Sequence, residues 1–437
     1  MTIPWKKHLA IIRGFLPDDF VNNFYHLPKA VVSVLLSRYP ARHLTVIGVT
    51  GTSGKTTTVN LIYHILKTAN LPVSMISTVK AVIGVKEYDT GLHVTNPDSF
   101  ELQKLIAEAV ASGSKYLVLE TTSHGLTQFR NFGANITIGV ITNISHEHLD
   151  YHKTMRNYVL SKAKILRGVK YSVLNRDDKN FRVLKNLAQG RLVTFSLKQD
   201  ADFTLKTFPF RTKLYGDYNK SNCLAAISVA KTLGIEDSII RLGINSFPGV
   251  SGRMEEITKY HPNFRIFIDF AHKPNAFQGV LLAARKLTRG RVIMMFGSAG
   301  LRDSTKRPIM GEIAGKLADI LILTAEDPRT ENLNKIINQI ARGAKKAGAT
   351  EVDTRNYRII DSSRSAMQNS NNKNRYFIKI PDRRKAINFT IQKLAQKGDV
   401  LLFCGKGHEQ SMCFGTTEYP WNEKTEIIKA LDKRYGK

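Results

Sequence analysis

The chain is poor in acid. Among its 437 residues, 36 Asp and Glu stand against 65 Lys and Arg, a formal net charge of +29. That imbalance favours acidic partners: nucleotides, phosphorylated or carboxylate-bearing substrates, nucleic acid, or an anionic membrane face. The plain alternative is a solvated, lysine-rich surface. Cysteine is scarce too. Cys223, Cys404 and Cys413 fall at unrelated spacings, which argues against a disulfide framework or a zinc set and points to a reducing, cytoplasmic setting. No apolar run reaches the ~18 residues that would span a bilayer. The first residues, MTIPWKKHLAIIRGFLP, are basic, but Arg13 breaks the apolar stretch and no small-residue cleavage site follows, so no secretory leader is expected. Repeats and low-complexity tracts are missing, and so are RNA-recognition, helix-turn-helix and zinc-finger patterns.

What is present is ordinary globular sequence, 42% hydrophobic, long enough for two or three domains. Short β-rich apolar runs recur at 44–49, 116–120, 136–142, 171–175, 264–270, 292–297, 320–325 and 400–404. Between them, segments such as 100–111, 158–166, 222–233, 275–287 and 333–347 carry apolar residues at helical spacing. This alternation predicts parallel sheets covered by helices, an α/β class. Pro248, Gly249, Ser251 and Gly252 cluster at a break. The expected division is therefore a short helical N-terminal segment (1–43), a central domain (44–247) and a C-terminal domain (248–437). Within the first, 30–36 is apolar between Lys29 and Arg38. It reads as a helix packed on the body, with a weak contact to an anionic membrane or a partner as the other option.

Gly51-Thr52-Ser53-Gly54-Lys55-Thr56-Thr57 lies between the first apolar run and a helical pattern over 59–66. Strand, glycine loop, Lys-Thr and helix make a phosphate cradle. Loop N–H groups and the helix start face the anion, the lysine adds charge, and a threonine hydroxyl reaches Mg²⁺. The first glycine of the common GxxxxGK[ST] spacing is replaced by Val49, leaving the narrower GTxGKTT form.

Other chemistry gathers where runs end. Glu120 closes one run, and carboxylates at the C-terminal ends of parallel strands commonly hold a metal. His146, Glu147, His148, Asp150 and His152 follow another. The spacing lacks the usual zinc partners, and a Mg²⁺ site using one His and one Glu fits better. On its own chemistry Lys162 reads as one more surface lysine. Past three later runs come Gly297–Pro308, Glu326–Glu331 and Gly405–Glu409. All three therefore reach one sheet edge, suited to a polar, zwitterionic molecule.

These motifs together resemble the Mur ligase family, in the branch that adds the third residue of the peptidoglycan stem peptide. The resemblance runs over about residues 44–437. It rests on GTSGKTTT, ETTSHGL, TNISHEHLDYHKTM, YVLSKA, LNRDD, GDYNKSN, GRMEE, DFAHKPNA, FGSAGLRDSTKRP, EDPRTE and GKGHEQ in that order. It implies a P-loop-type parallel-sheet ATPase domain followed by a Rossmann-like C-terminal domain. It also implies an ATP-dependent, ADP-forming ligase of peptidoglycan precursor synthesis, working through an acyl phosphate with two Mg²⁺ ions and a carbamylated lysine.

Residue by residue, the resemblance implies that Gly51, Thr52, Ser53, Gly54, Lys55, Thr56 and Thr57 hold ATP with Asn219, Asn222, Arg253 and Asp269. It makes Lys55, Glu120, His148 and Lys162 the catalytic set, with Thr56, Glu120, His148 and the Lys162 carbamate as metal ligands. Thr95, Asn96, Thr122, Gln128 and Arg130 would grip a UDP-MurNAc-dipeptide-like acceptor. Arg302, Glu326, Asp327, Arg329, Gly405 and Glu409 would hold the incoming amino acid, meso-diaminopimelate, since a guanidinium forks onto a side-chain carboxylate. A cytoplasmic monomer with no nucleic-acid partner is expected.

The chain departs from the family pattern in three places. Only 43 residues precede the loop region, about half the usual uridine-binding domain, which implies a reduced nucleotide-sugar grip. Glu326-Asp327-Pro328-Arg329 replaces Asp-Asn-Pro-Arg, and Thr95-Asn96-Pro97 replaces Thr-Thr-Pro. Alternatives are the same chemistry on another carboxylate acceptor, L-lysine as the amino acid, or a basic protein that binds nucleic acid or anionic membrane.

Overall fold

The structure, a computed structural model, describes residues 18–89, 96–145, 147, 149–362 and 374–436. The chain forms two compact units. One comprises Met1–Lys213 and Asn219–Pro248, the other Leu214–Tyr218 and Gly249–Lys437.

In the first unit a helical turn (Asp18–Val21), a π-helical turn (Asn22–His26) and helix α1 (Leu27–Leu36) lead into an eight-stranded sheet. Its strands are β1 (Thr45–Thr50), β2 (Val73–Ile76), β3 (Lys80–Ile83), β4 (Lys86–Asp89), β5 (Tyr116–Glu120), β6 (Ile136–Ile141), β7 (Tyr171–Asn175) and β8 (Arg191–Phe195). The order is β4-β3-β2-β5-β1-β6-β7-β8, with β3 alone running antiparallel, between β4 and β2 at one edge. β1 is central. Val46, Ile47 and Val49 are wholly buried, as a strand covered on both faces demands. Val49 pairs with Glu120 and Val140, so the loops leaving β1, β5 and β6 emerge at one edge, where the strand order reverses. Helices α2 (Lys55–Thr68), α3 (Ser99–Ala111), α4 (Ser123–Thr127), α5 (Met155–Ala163) and α6 (Asp217–Thr232) follow in chain order.

The second unit holds β9 (Glu255–Glu256), β10 (Arg265–Asp269), β11 (Val292–Phe296), β12 (Ile320–Leu323), β13 (Ala349–Glu351), β14 (Arg375–Lys379) and β15 (Val400–Cys404). Their order is β13-β14-β12-β11-β15-β10-β9, with only β9 antiparallel. Successive side chains on a strand alternate between faces, and both faces here are apolar. Phe267, Met294, Leu321, Phe377 and Leu402 pack on α7 (Pro274–Leu287), α8 (Lys306–Leu317) and α9 (Leu333–Lys346). Ile268, Ile293, Ile322 and Phe403 pack on α10 (Arg383–Phe389) and α11 (Glu423–Tyr435). A hairpin, β16 (Ser411–Phe414) with β17 (Thr417–Pro420), stands apart from the sheet. The expected α/β class, a parallel-sheet domain followed by a second α/β domain, is the observed one. No described helix is long and apolar enough to cross a membrane.

Candidate active site

The loop between β1 and α2 is shaped by close approaches that only glycine permits. Gly54 has φ +83°, and a Cβ there would lie 2.2 Å from Asn222 Oδ1; one on Gly51 would lie 1.9 Å from Thr142 Oγ1. The residues after β6 brace the loop. Thr52 N–H donates to Asn143 O (2.7 Å), Ser53 N–H to Asn143 Oδ1 (3.0 Å), and Asn143 Nδ2 returns a bond to Ser53 O (2.8 Å). Gly54 is the N-cap of α2 and offers no side-chain acceptor, so the helix starts without a cap hydrogen bond. A 14-residue helix with an uncapped N-terminus behind a braced glycine loop suits a polyphosphate: its N–H groups and dipole are directed at whatever anion lies there. Lys55 is placed by the same turn, its Nζ 3.4 Å from Thr52 O.

Behind the cradle, Thr56 Oγ1 donates to Glu120 Oε1 (3.1 Å), and Glu120 Oε2 accepts from Thr78 N–H (2.9 Å). Both side chains are buried. A hydroxyl and a carboxylate in contact at a phosphate cradle are hard oxygen donors of the kind Mg²⁺ takes. Among the described residues no three His, Cys, Asp or Glu side chains converge as a metal cage. Mg²⁺ would then be held as in other phosphate sites, by one or two protein groups with phosphate and water completing the shell. The expected ligand His148 lies outside the described residues.

Lys162 overturns the surface reading its composition suggested. It is 2% exposed, and its Nζ donates to Gly51 O (2.8 Å) at the foot of the cradle. It comes from α5, whose Thr154 caps the first turn by accepting from Asn157 N–H. Tyr158, one turn earlier, meets Thr52 Oγ1 at 3.0 Å. Burial, reinforced by the Glu147 charge, raises the Tyr158 phenol well above its ordinary value, so it stays a neutral hydrogen-bonding group. Asn219 and Asn222 pair with each other one turn apart on α6 (2.9 Å), and the same Asn222 amide faces Gly54.

Four of the expected acceptor residues gather next to Glu120. Asn96 Nδ2 donates to Glu120 O (2.8 Å), and Asn96 Oδ1 accepts from Thr122 N–H and Oγ1–H (2.7 and 2.8 Å). Arg130 Nη1 donates to Asn96 O (2.9 Å) and Nε to Gln128 Oε1 (2.9 Å). Thr95 lies outside the described residues.

The second unit builds its site differently. Glu326, Asp327, Gly405 and Glu409 meet at the C-terminal ends of β12 and β15 around Lys406, which is fully buried. Lys406 Nζ contacts Asp327 Oδ1 (2.9 Å) and Glu409 Oε2 (2.6 Å). Burial alone would lower the lysine's pKa, but the two carboxylates outweigh it and hold it raised. Burial raises the Glu326 pKa against the pull of Lys306 and Lys406. Among the described residues Glu326 Oε2 has no hydrogen-bond partner; it is buried 2.7 Å from where a Cβ on Gly405 (φ +104°) would sit. Arg329 is half-buried, held at φ +51° by exchanging backbone bonds with Cys413 and Gly415; Arg302 is exposed at its turn. Near β10, Asp269 accepts from Met254 and Ala271 N–H (2.7 Å each), and the Arg253 guanidinium lies 4.4 Å from the Phe270 ring centroid. Burial raises the Asp269 pKa, opposed by Arg253. Arg307, fully buried, forks onto Glu331 (2.6 and 2.8 Å) and ties Gly297–Pro308 to Glu326–Glu331.

Three contributors were not singled out from sequence. Asn143 braces the loop, and its signal was its place directly after a strand. Lys406, inside GKGHE, neutralises the carboxylates. His408, whose pKa is pushed down to about 3 by burial and then by the Arg253 and Lys406 charges, is a neutral imidazole.

A phosphate cradle on one parallel sheet, with a carboxylate-lined strand edge on another, marks a nucleotide-dependent enzyme. Comparisons with known proteins place it further. Residues 49–230 match the Mur ligase middle domain and residues 252–407 the Mur ligase glutamate ligase domain. The chain is 35% identical to a UDP-N-acetylmuramyl-tripeptide synthetase of Roseiflexus sp. (strain RS-1), over 90% of this chain and 79% of that protein. It is also 35% identical to a UDP-N-acetylmuramoyl-L-alanyl-D-glutamate--2,6-diaminopimelate ligase of Caldanaerobacter subterraneus subsp. tengcongensis, over 92% and 82%. A solved structure of a ligase of that same name superposes with a TM-score of 0.59 at 28% identity, covering 90% of this chain and 79% of that one. The chain belongs to the Mur ligase family, whose members are ATP-dependent amide ligases that use Mg²⁺.

Proposed function

We propose that this ligase joins the amino group of meso-diaminopimelate to the peptide carboxylate of UDP-MurNAc-L-Ala-D-Glu, at the expense of ATP, in peptidoglycan precursor synthesis. What carries the reading is that similarity to ligases of this name runs through both units, cradle and carboxylate edge alike. A carboxylate is a poor electrophile. Its oxygen attacks the γ-phosphorus of ATP, the bond to ADP breaks, and the acyl phosphate gains a leaving group. The amine nitrogen then attacks the acyl carbon, the tetrahedral adduct sheds phosphate, and the amine proton passes to solvent.

In this reading the chain's own groups supply position and charge. The α2 N-terminus and Lys55 hold the phosphates, Asn219 and Asn222 the nucleotide, with Arg253 and Asp269 also assigned to ATP. Asn96, Thr122, Gln128 and Arg130, with Thr95, orient the acceptor. Glu409 and the Gly405 carbonyl accept from the amino acid's ammonium, with Glu326 and Asp327 beside them, while Arg329, with Arg302, binds carboxylate. Bound to Thr56, Glu120, His148 and a Lys162 carbamate, two Mg²⁺ ions would offset charge crowding between phosphates and acceptor. Carbamylation would add CO₂ to the neutral Lys162 amine with loss of a proton, turning a buried cation into an oxygen ligand. A cytoplasmic, monomeric enzyme fits this role.

Phosphate release from ATP tests the reading. UDP-muramyl-dipeptide and the same acceptor lacking UDP are each paired with diaminopimelate, lysine or no amino acid. Turnover requiring diaminopimelate and the UDP-linked acceptor is expected. Turnover with lysine alone would reject the amino acid, and no turnover with either acceptor would reject the acceptor class. Removing bicarbonate should slow turnover reversibly, and indifference to it would rule out the carbamate.

A further inference from the structure

The N-terminal helix is amphipathic the wrong way round. Against the body it buries small residues: Ala30 and Ser33 are 0% exposed, with the Ser33 hydroxyl donating to Ala30 O. Val34 fits against Gly133, where a Cβ would lie 2.2 Å from Val34 Cγ2. Outward it presents the large ones. Phe24 is 70% exposed, Leu35 70% and Leu36 72%, with Tyr25, Val32 and Phe20 also in water. Val32, Leu35 and Leu36 are exposed within the last turns of the helix, and Phe24 stacks on Phe20 at 4.6 Å in the turns before it, so large exposed apolar residues run along the segment. These side chains lie outside the buried core of the described residues. A contiguous exposed apolar face marks a docking surface.

Charge selects the occupant. Across residues 1–43 six Lys and Arg stand against two Asp, and the whole chain carries +29. Arg38 and Arg42 lie after the helix and are exposed, while Lys29 on it pairs with Asp98 at 3.5 Å. A second copy would bring like charge against like charge. We propose that the stripe seats this protein on an anionic lipid bilayer, aromatic and leucine side chains entering the interface while the basic residues meet headgroups. This does not rest on the substrates proposed above.

The test is flotation of the full chain with unilamellar vesicles of phosphatidylcholine, alone or with about one third phosphatidylglycerol, at ~0.15 M salt. Binding to the anionic vesicles only is expected, reduced on the order of tenfold by Leu35→Glu/Leu36→Glu. Phe24→Glu, a turn and more away, should weaken it separately. Both variants should keep the wild-type melting temperature and ATP turnover, because the replaced side chains lie in water. Absence of binding to anionic vesicles overturns the proposal, as does binding that the double variant leaves undiminished. A wild type that sediments as a dimer and a Leu35→Glu/Leu36→Glu variant that sediments as a monomer would assign the face to a second copy instead, and would equally overturn it.

Discussion

The two units use the same scaffold, a parallel sheet with loops at its C-terminal edge, to build opposite kinds of site. In the first, the ligand-facing groups are mostly main chain: loop N–H groups, a helix start and two glycines whose missing side chains make the room. Charge at the loop itself comes from Lys55, with the buried Glu120 and Lys162 behind it. In the second, the groups are side-chain ions removed from water, with Lys406 between Asp327 and Glu409 and Glu326 alongside. Backbone dipoles recognise any polyphosphate, because the open N–H groups of a loop and helix start need no charged side chain to face an anion. Buried ions recognise a particular pattern of charge, and each stays buried only while its neighbours remain. The first site should therefore lose function without losing fold, and the second should lose both.

The sharpest way to break that contrast is Lys55→Ala. ATP turnover, followed by phosphate release, should fall on the order of 10³-fold, with the melting temperature almost unchanged; a large drop in melting temperature would erase the distinction. Lys406→Met should act the other way. It strands two carboxylates, at a cost of about 3 kcal/mol, visible as a lower urea midpoint before any assay. A variant as stable as wild type would mean those carboxylates are solvated. Arg329→Ala probes recognition inside the second site. Its effect on kcat/KM should be about tenfold or more with diaminopimelate and smaller with lysine; equal losses would show that no side-chain carboxylate is read there. The smallest effect concerns pH. Arg307 holds the Glu331 carboxyl down to about 2 from 4.5. A depressed folded-state value stabilises above the unfolded value and is lost as pH falls toward about 2. Glu331→Gln should flatten that acid limb of the stability curve, and an unchanged limb would assign it to other carboxylates.

The strands best read from sequence were the central ones. β1, β5, β6, β7, β10, β11, β12 and β15 were all expected within a residue or two, because burial on both faces makes them near-continuous apolar runs. The missed ones are edges or near-edges: β3, β4 and β8 in one sheet, β9, β13 and β14 in the other, and the β16–β17 hairpin. Such strands are short and mixed in polarity, like β4 (Lys-Glu-Tyr-Asp), since one flank has no neighbour to impose an apolar pattern. β2 escaped for its length alone.

Sequence by itself determined the cradle, because glycines at fixed spacing after a strand dictate a backbone shape and the shape is the site. It also determined the alternation that makes two parallel sheets. Tertiary structure alone decided which charged side chains are surface and which are interior. Nothing local distinguishes Lys162 from its neighbour Lys164, or marks Lys406 as enclosed between Asp327 and Glu409. It also decided that α1 turns Ala30 and Ser33 inward and Leu35 and Leu36 to water. Burial depends on what packs from distant parts of the chain, and that is settled only when the sheet is assembled.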